Sequence, residues 1–129
     1  MTKGANKLSI NFGVFNARSM CNKTTGVLET LIHNKIDVCF VTETWIQKND
    51  STKFAEIHER GFELLNAPRK GIGGGVGFIF NVNTIKLVRN NVQKYPSFEA
   101  LEAVLKTSTD TLRLCVIYRS TSQSSNKIS

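Results

Sequence analysis

The stretch that most constrains this chain is residues 38–45, Val-Cys-Phe-Val-Thr-Glu-Thr-Trp. It is a short apolar run rich in β-branched and aromatic residues, bounded by a carboxylate and an indole, and it reads as a buried strand. Upstream, residues 8–15 alternate, with Leu8, Ile10, Phe12 and Val14 set against Ser9, Asn11, Gly13 and Phe15, which predicts a first strand. Between them an apolar stripe of Val27, Leu28, Leu31 and Ile32 predicts a helix from about Thr24 to Asn34, with Asn22 or Thr24 as candidate caps. Strand, helix, strand in this space is a βαβ unit, whose strands run parallel and whose crossover is right-handed. In a parallel pair both C-terminal ends share one rim, where α/β proteins place their ligands. Asn16 follows the first strand and Glu43 ends the second, so the two are expected as neighbours there, with Arg18 beside them. A carboxylate next to a carboxamide offers oxygen ligands of the kind Mg²⁺ prefers. The plain alternative is an ordinary strand end with a solvated glutamate.

The rest of the chain extends this α/β reading. Residues 50–59 predict a short helix with Phe54 and Ile57 turned inward, and residues 62–65 a brief strand after Gly61. The glycines at 71, 73, 74, 75 and 77 lead into the strand Phe78-Ile79-Phe80. Their spacing fails the dinucleotide pattern and they precede a strand, not a helix, so close backbone packing is the expected use. Arg69 and Lys70 on that loop are candidate phosphate contacts, set against a solvated turn. Residues 84–88 predict a strand, and residues 98–106 and 111–118 a hairpin closed by Thr107-Ser108-Thr109-Asp110, with Pro96 just ahead of its first arm. Residues 1–7 and the Ser- and Thr-rich residues 120–129 read as flexible or disordered ends around one domain at 8–119.

Composition narrows the class. The chain has 129 residues and 40% apolar content, enough for one modest core, with no apolar run near the roughly 18 residues of a membrane span. The first residues lack a secretory h-region. Cys21, Cys39 and Cys115 are too far apart for a zinc site or a disulfide framework. Together these point to an intracellular, non-secreted protein. A net charge of +7 favours a polyanionic partner, although the cations are scattered. His33 and His58 have no partner at a catalytic spacing and read as structural.

The order of motifs resembles the endonuclease/exonuclease/phosphatase superfamily. It runs Phe15-Asn16-Ala17-Arg18-Ser19, Lys23 before a helix, Asp37 through Thr42-Glu43-Thr44-Trp45, Gly61-Phe62, Gly73-Gly74-Gly75-Val76, Phe98-Glu99-Ala100-Leu101 and Cys115-Val116-Ile117-Tyr118-Arg119. More narrowly, it is similar to the apurinic-endonuclease-like domain at the front of non-LTR retrotransposon polyproteins. The resemblance implies Mg²⁺, with Mn²⁺ as a substitute, held by Glu43 with Asn16. It implies that Tyr118 contacts the scissile phosphate and that Arg18 lies beside the site. The implied reaction is hydrolysis of a phosphodiester in the DNA backbone by an activated water.

The family domain is about twice this length and packs two sheets face to face with helices outside. Its second half carries Gly-Asp-Phe-Asn and Ser-Asp-His motifs that do not occur in this sequence. The expectation is therefore an α/β chain of the α+β sandwich type, one half of a four-layer, two-sheet nuclease sandwich, with a mixed sheet and flanking helices. Such a chain is inactive alone, and it is completed by a C-terminal half or the reverse transcriptase region. An open sheet face carrying Phe78 and Phe80 is expected to drive self-association. Two other readings stand beside this one: a non-catalytic, basic nucleic-acid-binding module, and a degenerate retroelement fragment.

Overall fold

In the computed structural model, residues 9–18, 23–46, 50–67 and 75–118 are described. The elements run β1 (Phe12–Asn16), α1 (Thr24–His33), β2 (Val38–Thr42), α2 (Ser51–Glu59), β3 (Phe62–Ala67), β4 (Val76–Asn81), β5 (Lys86–Lys94), β6 (Glu99–Lys106) and β7 (Thr111–Tyr118). They form a mixed sheet in the order β1-β2-β4-β3 and an antiparallel sheet in the order β5-β6-β7. β1 and β2 are parallel, and β4 is antiparallel to both β2 and β3.

Alternation along β2 and β4 assigns the two faces of the mixed sheet. Cys39, Val41 and Ile79 pack with Val27, Leu28 and Leu31 of α1 and Ile57 of α2, with Phe54 against them. Val38, Phe78 and Phe80 pack instead with Leu101, Ala103, Leu105 and Val116 of the antiparallel sheet. The result is a helix layer, a mixed sheet and an antiparallel sheet, as expected for half of a two-sheet sandwich. Phe78 and Phe80 are fully buried, which corrects the expectation that they line an open face. Strands β6 and β7 supply the apolar faces that cover them.

Several boundaries shift for local reasons. The second strand stops at Thr42, because Glu43 and Trp45 take left-handed backbone, with φ of 55° and 58°. Thr24 does not cap α1: the N-cap position is Lys23, with no side-chain cap bond, and Thr24 is already helical and buried; Asn22 lies outside the described residues. Thr84 lies in a turn, and β5 runs well past Val88, with a register shift between Leu87 and Arg89. No helix among the described residues is long and apolar enough to cross a membrane.

One buried acid fixes the register at the start of β2. Asp37 is 2% exposed. Its carboxylate accepts from the Asn11 backbone N–H at 2.9 Å and from Thr84 Oγ1 at 2.8 Å. Its own backbone N–H donates to Asn11 at 2.8 Å, and its carbonyl accepts from Asn81 N–H at 2.8 Å. Three segments are thus tied at one end of β2, and the parallel ladder carries that register to Asn16 opposite Thr42 at the other end.

Candidate active site

The C-terminal ends of β1 and β2 make one rim. The ladder closes there as the Ala17 backbone N–H donates to the Thr42 carbonyl at 2.9 Å. One residue on, Asn16 Nδ2 donates to Glu43 Oε2 at 3.3 Å across the exposed lip. That bond uses the Asn16 amide nitrogen and one carboxylate oxygen; Asn16 Oδ1 and Glu43 Oε1 take no part in it. Lys23 Nζ donates to the Ala17 carbonyl at 2.8 Å, which brings a fixed cation to the same rim.

The backbone here is unusual. Among the described residues the non-glycine positions with positive φ are Arg18, Lys35, Glu43 and Trp45. Lys35 follows α1, and the other three sit on this rim. Left-handed backbone costs a side-chain-bearing residue roughly 1 kcal/mol or more and persists only where its surroundings hold it.

Those surroundings are identifiable. The Glu43 backbone N–H donates to the Gly75 carbonyl at 2.7 Å, and Gly75 itself has φ of 92°. Thr44 is fully buried, and its Oγ1 donates to Asn66 Oδ1 at 2.9 Å and accepts from the Ile46 N–H at 3.4 Å. Asn66 Nδ2 donates to the Ile46 carbonyl at 2.9 Å. A single asparagine on β3 therefore clamps the turn on both sides of Trp45. β3 comes close enough because of Gly77, where a Cβ would stand 2.8 Å from the Leu65 carbonyl oxygen and 3.1 Å from Leu64 Cδ1.

The sequence-predicted residues divide into three groups. Asn16 and Glu43 are brought together. Arg18 is exposed, two residues past Asn16, with φ of 50°. Tyr118 is the last residue of β7, opposite Glu99 in the antiparallel sheet; its side chain, like Arg69 and Lys70, lies outside the described residues. Sequence reasoning missed Asn66 as the clamp. A polar residue ending a largely apolar strand was the available signal. His33 and His58 occupy the last turns of α1 and α2, where the helix dipole favours a basic side chain.

Among the described residues no group of three or more His, Cys, Asp or Glu could hold a metal ion. Among the described residues, the Glu43 carboxylate and the Asn16 amide are the side-chain oxygen donors that the lip contact brings together. Carboxylate and amide oxygens are donors of the kind Mg²⁺ accepts.

No family model and no curated sequence matches the chain. Solved structures do match it. TDP2 from D. rerio, complexed with a single strand DNA product, aligns at 14% identity and TM-score 0.62, over 81% of this chain and 43% of that one. An AP endonuclease from Archaeoglobus fulgidus aligns at 19% identity and TM-score 0.60, over 81% and 40%. The chain shares the fold of one part of these structures. A mannosyl-6-phosphatase of Bacteroides thetaiotaomicron shares that fold at 8% identity and TM-score 0.60, over 84% of this chain and 50% of that one. The chain thus spans half or less of the length of these structures.

Proposed function

We propose that residues 8–119 are the part of a Mg²⁺-dependent phosphodiesterase domain that carries the metal lip, and that its substrate is the phosphate backbone of DNA. The observation that carries this reading is the Asn16–Glu43 pair on the shared rim of two parallel strands. Glu43 holds the cation through its carboxylate, and Asn16 orients that carboxylate while offering its own amide oxygen. Lys23 and Arg18 supply positive charge for the phosphate, and Tyr118 is assigned a phosphate contact by resemblance. A bound Mg²⁺ supplies charge stabilisation at the phosphate and lowers the pKa of its water. The motif order resembles that of the apurinic-endonuclease-like domains of non-LTR retrotransposons, which supports this reading. In this reading the lip binds the metal and the phosphate, and turnover needs the groups that the second half of the family's domain supplies. The +7 charge also suits a non-catalytic nucleic-acid-binding module.

The test is Mn²⁺ binding followed by electron paramagnetic resonance, together with nicking of supercoiled plasmid. Glu43→Ala is expected to weaken Mn²⁺ binding roughly tenfold or more, while the unmodified chain leaves plasmid intact. Mn²⁺ binding indifferent to Glu43→Ala sinks the metal lip. Nicking that Glu43→Ala abolishes keeps the phosphodiesterase reading and removes the claim that the chain is inactive alone. Salt-sensitive DNA binding with no metal binding leaves the non-catalytic module.

A further inference from the structure

The turn that carries Glu43 carries a second strained residue that the metal lip does not use. Glu43 and Trp45 both take positive φ, 55° and 58°, while Thr44 and Ile46 are fully buried. Left-handed backbone at residue 43 turns the chain out of β2, and the bond from Thr44 Oγ1 to Asn66 then fixes residue 44. Aiming the carboxylate calls for no further left-handed residue. At such a position glycine or asparagine would cost less than any aromatic residue. A tryptophan is held there instead, with Asn66 Nδ2 on the Ile46 carbonyl at 2.9 Å on one side and Thr44 on the other. The bonds that hold the turn all run between residues 43 and 75. The place of the indole is therefore set by this stretch of chain itself.

A core tryptophan stabilises by burying its large ring. Trp45 is 39% exposed between two neighbours that are not exposed at all, so the turn hides its small residues and presents its largest one. The rim it belongs to is polar and cationic, with Asn16 on Glu43, Lys23 on the Ala17 carbonyl, and Arg18 exposed. An aromatic face beside cations and a metal-binding acid matches a nucleotide, whose phosphate goes to the charges and whose base goes to the ring. Two residues of chain span at most about 7 Å, and one strand of a duplex rises about 3.4 Å per nucleotide. The indole thus reaches a base within about three nucleotides of a phosphate held at Glu43.

We propose that Trp45 is a specificity-determining residue of the lip, whose indole stacks on a nucleobase flanking the phosphate that Glu43 and its cation hold. This deepens the DNA reading of the lip and rests on it. Every base has a π face, so stacking requires a base without choosing among bases. Trp45 therefore favours a strand whose bases are unpaired and accessible over a closed duplex, and a nucleotide over a phosphodiester that carries no base. The ring is uncharged and releases no counterions. The salt dependence of binding is left to the lysines and arginines.

Trp45 is the sole tryptophan of the sequence, so the intrinsic fluorescence of the full chain reports on it alone. The test titrates the chain, in Mg²⁺, with a dye-labelled single-stranded oligodeoxynucleotide and with the same strand built of abasic tetrahydrofuran residues. Anisotropy of the label reads binding, and tryptophan emission reads stacking. The strand with bases is expected to quench the emission and to bind roughly tenfold more tightly than the abasic strand. Trp45→Ala is expected to remove that preference without altering the salt slope, and Trp45→Tyr, which keeps an aromatic face, to retain part of it. The proposal is overturned by a strand that binds with emission unchanged, by equal quenching from the abasic strand, or by a preference for bases that survives Trp45→Ala. Any of these, with Mn²⁺ binding still dependent on Glu43, leaves the metal lip standing and removes Trp45 from it. Mn²⁺ binding indifferent to Glu43→Ala, or no DNA binding at all, removes the lip and this proposal together. Should Trp45→Ala unfold the chain, quenching in the unmodified chain and the Trp45→Tyr variant decide.

Discussion

Replacing Asn66 with alanine removes both arms of the clamp that holds the turn after Glu43. Thr44 Oγ1 loses its acceptor at 2.9 Å, and the Ile46 carbonyl loses its donor at 2.9 Å. Thr44 and Ile46 are both fully buried, so water does not readily replace either partner. Each orphaned group costs about 1–3 kcal/mol, and partial relaxation of an exposed lip takes some of that back, leaving a net loss of about 2–4 kcal/mol. With a urea slope of about 1–3 kcal/mol/M, the unfolding midpoint falls by about 1–2 M. Thr44→Val removes the hydroxyl and preserves its shape. Because the two residues share a bond, the double variant is expected to lose less than the sum of the singles, with a coupling of about 1–2 kcal/mol. Mn²⁺ binding at Glu43 should weaken roughly tenfold in Asn66→Ala, since the left-handed turn then lacks the contacts that offset its strain. A loss below about 0.5 kcal/mol with additive single variants would refute the idea that Asn66 organises the lip.

Three further outcomes follow from the same geometry. Gly77→Ala puts a methyl group 2.8 Å from the Leu65 carbonyl oxygen, so β3 and β4 must part; a stability loss of about 2 kcal/mol or more is expected in urea unfolding. Asp37→Ala removes a buried carboxylate and leaves the Asn11 backbone N–H and the Thr84 hydroxyl without that acceptor, which should cost about 3–5 kcal/mol, read as a lowered melting temperature. Burial pushes the Cys39 thiol from 9.0 up to about 11, so its folded pKa lies above its unfolded one. Its contribution is intact below about pH 9 and is lost as pH rises through about 11. The difference in unfolding free energy between the unmodified chain and Cys39→Ala should therefore shrink by about 2–3 kcal/mol over that window.

The βαβ unit was legible because its signals are local: alternation before Asn16, a helical stripe at Val27, Leu28 and Leu31, and an apolar run at residues 38–42. Strand direction then followed from the crossover, and with it the meeting of Asn16 and Glu43. What sequence did not reveal depends on distant partners. Phe78 and Phe80 read as apolar, but only the course of β6 and β7 shows what covers them. Asn90-Asn91-Val92-Gln93 has poor strand propensity and is held as strand by pairing with residues 100–103 of β6. The Asn66 clamp spans 20 and 22 residues, and nothing within Thr42-Glu43-Thr44-Trp45 signals that two of its members take positive φ.

The two ends of β2 are built to opposite specifications. At the start, Asp37 ties three segments together with short bonds and almost no exposure, so the register is fixed where no chemistry is needed. At the finish, hydrogen bonding to Gly75 and Asn66 holds Glu43 and Trp45 in costly left-handed backbone, and the carboxylate emerges at an exposed lip beside Asn16. A strand that needed only to end could do so at less cost with glycine or asparagine in a relaxed turn. Strain that is held by a dedicated clamp and coincides with the one place where two parallel strands deliver an acid and an amide is best explained by the need to aim that acid.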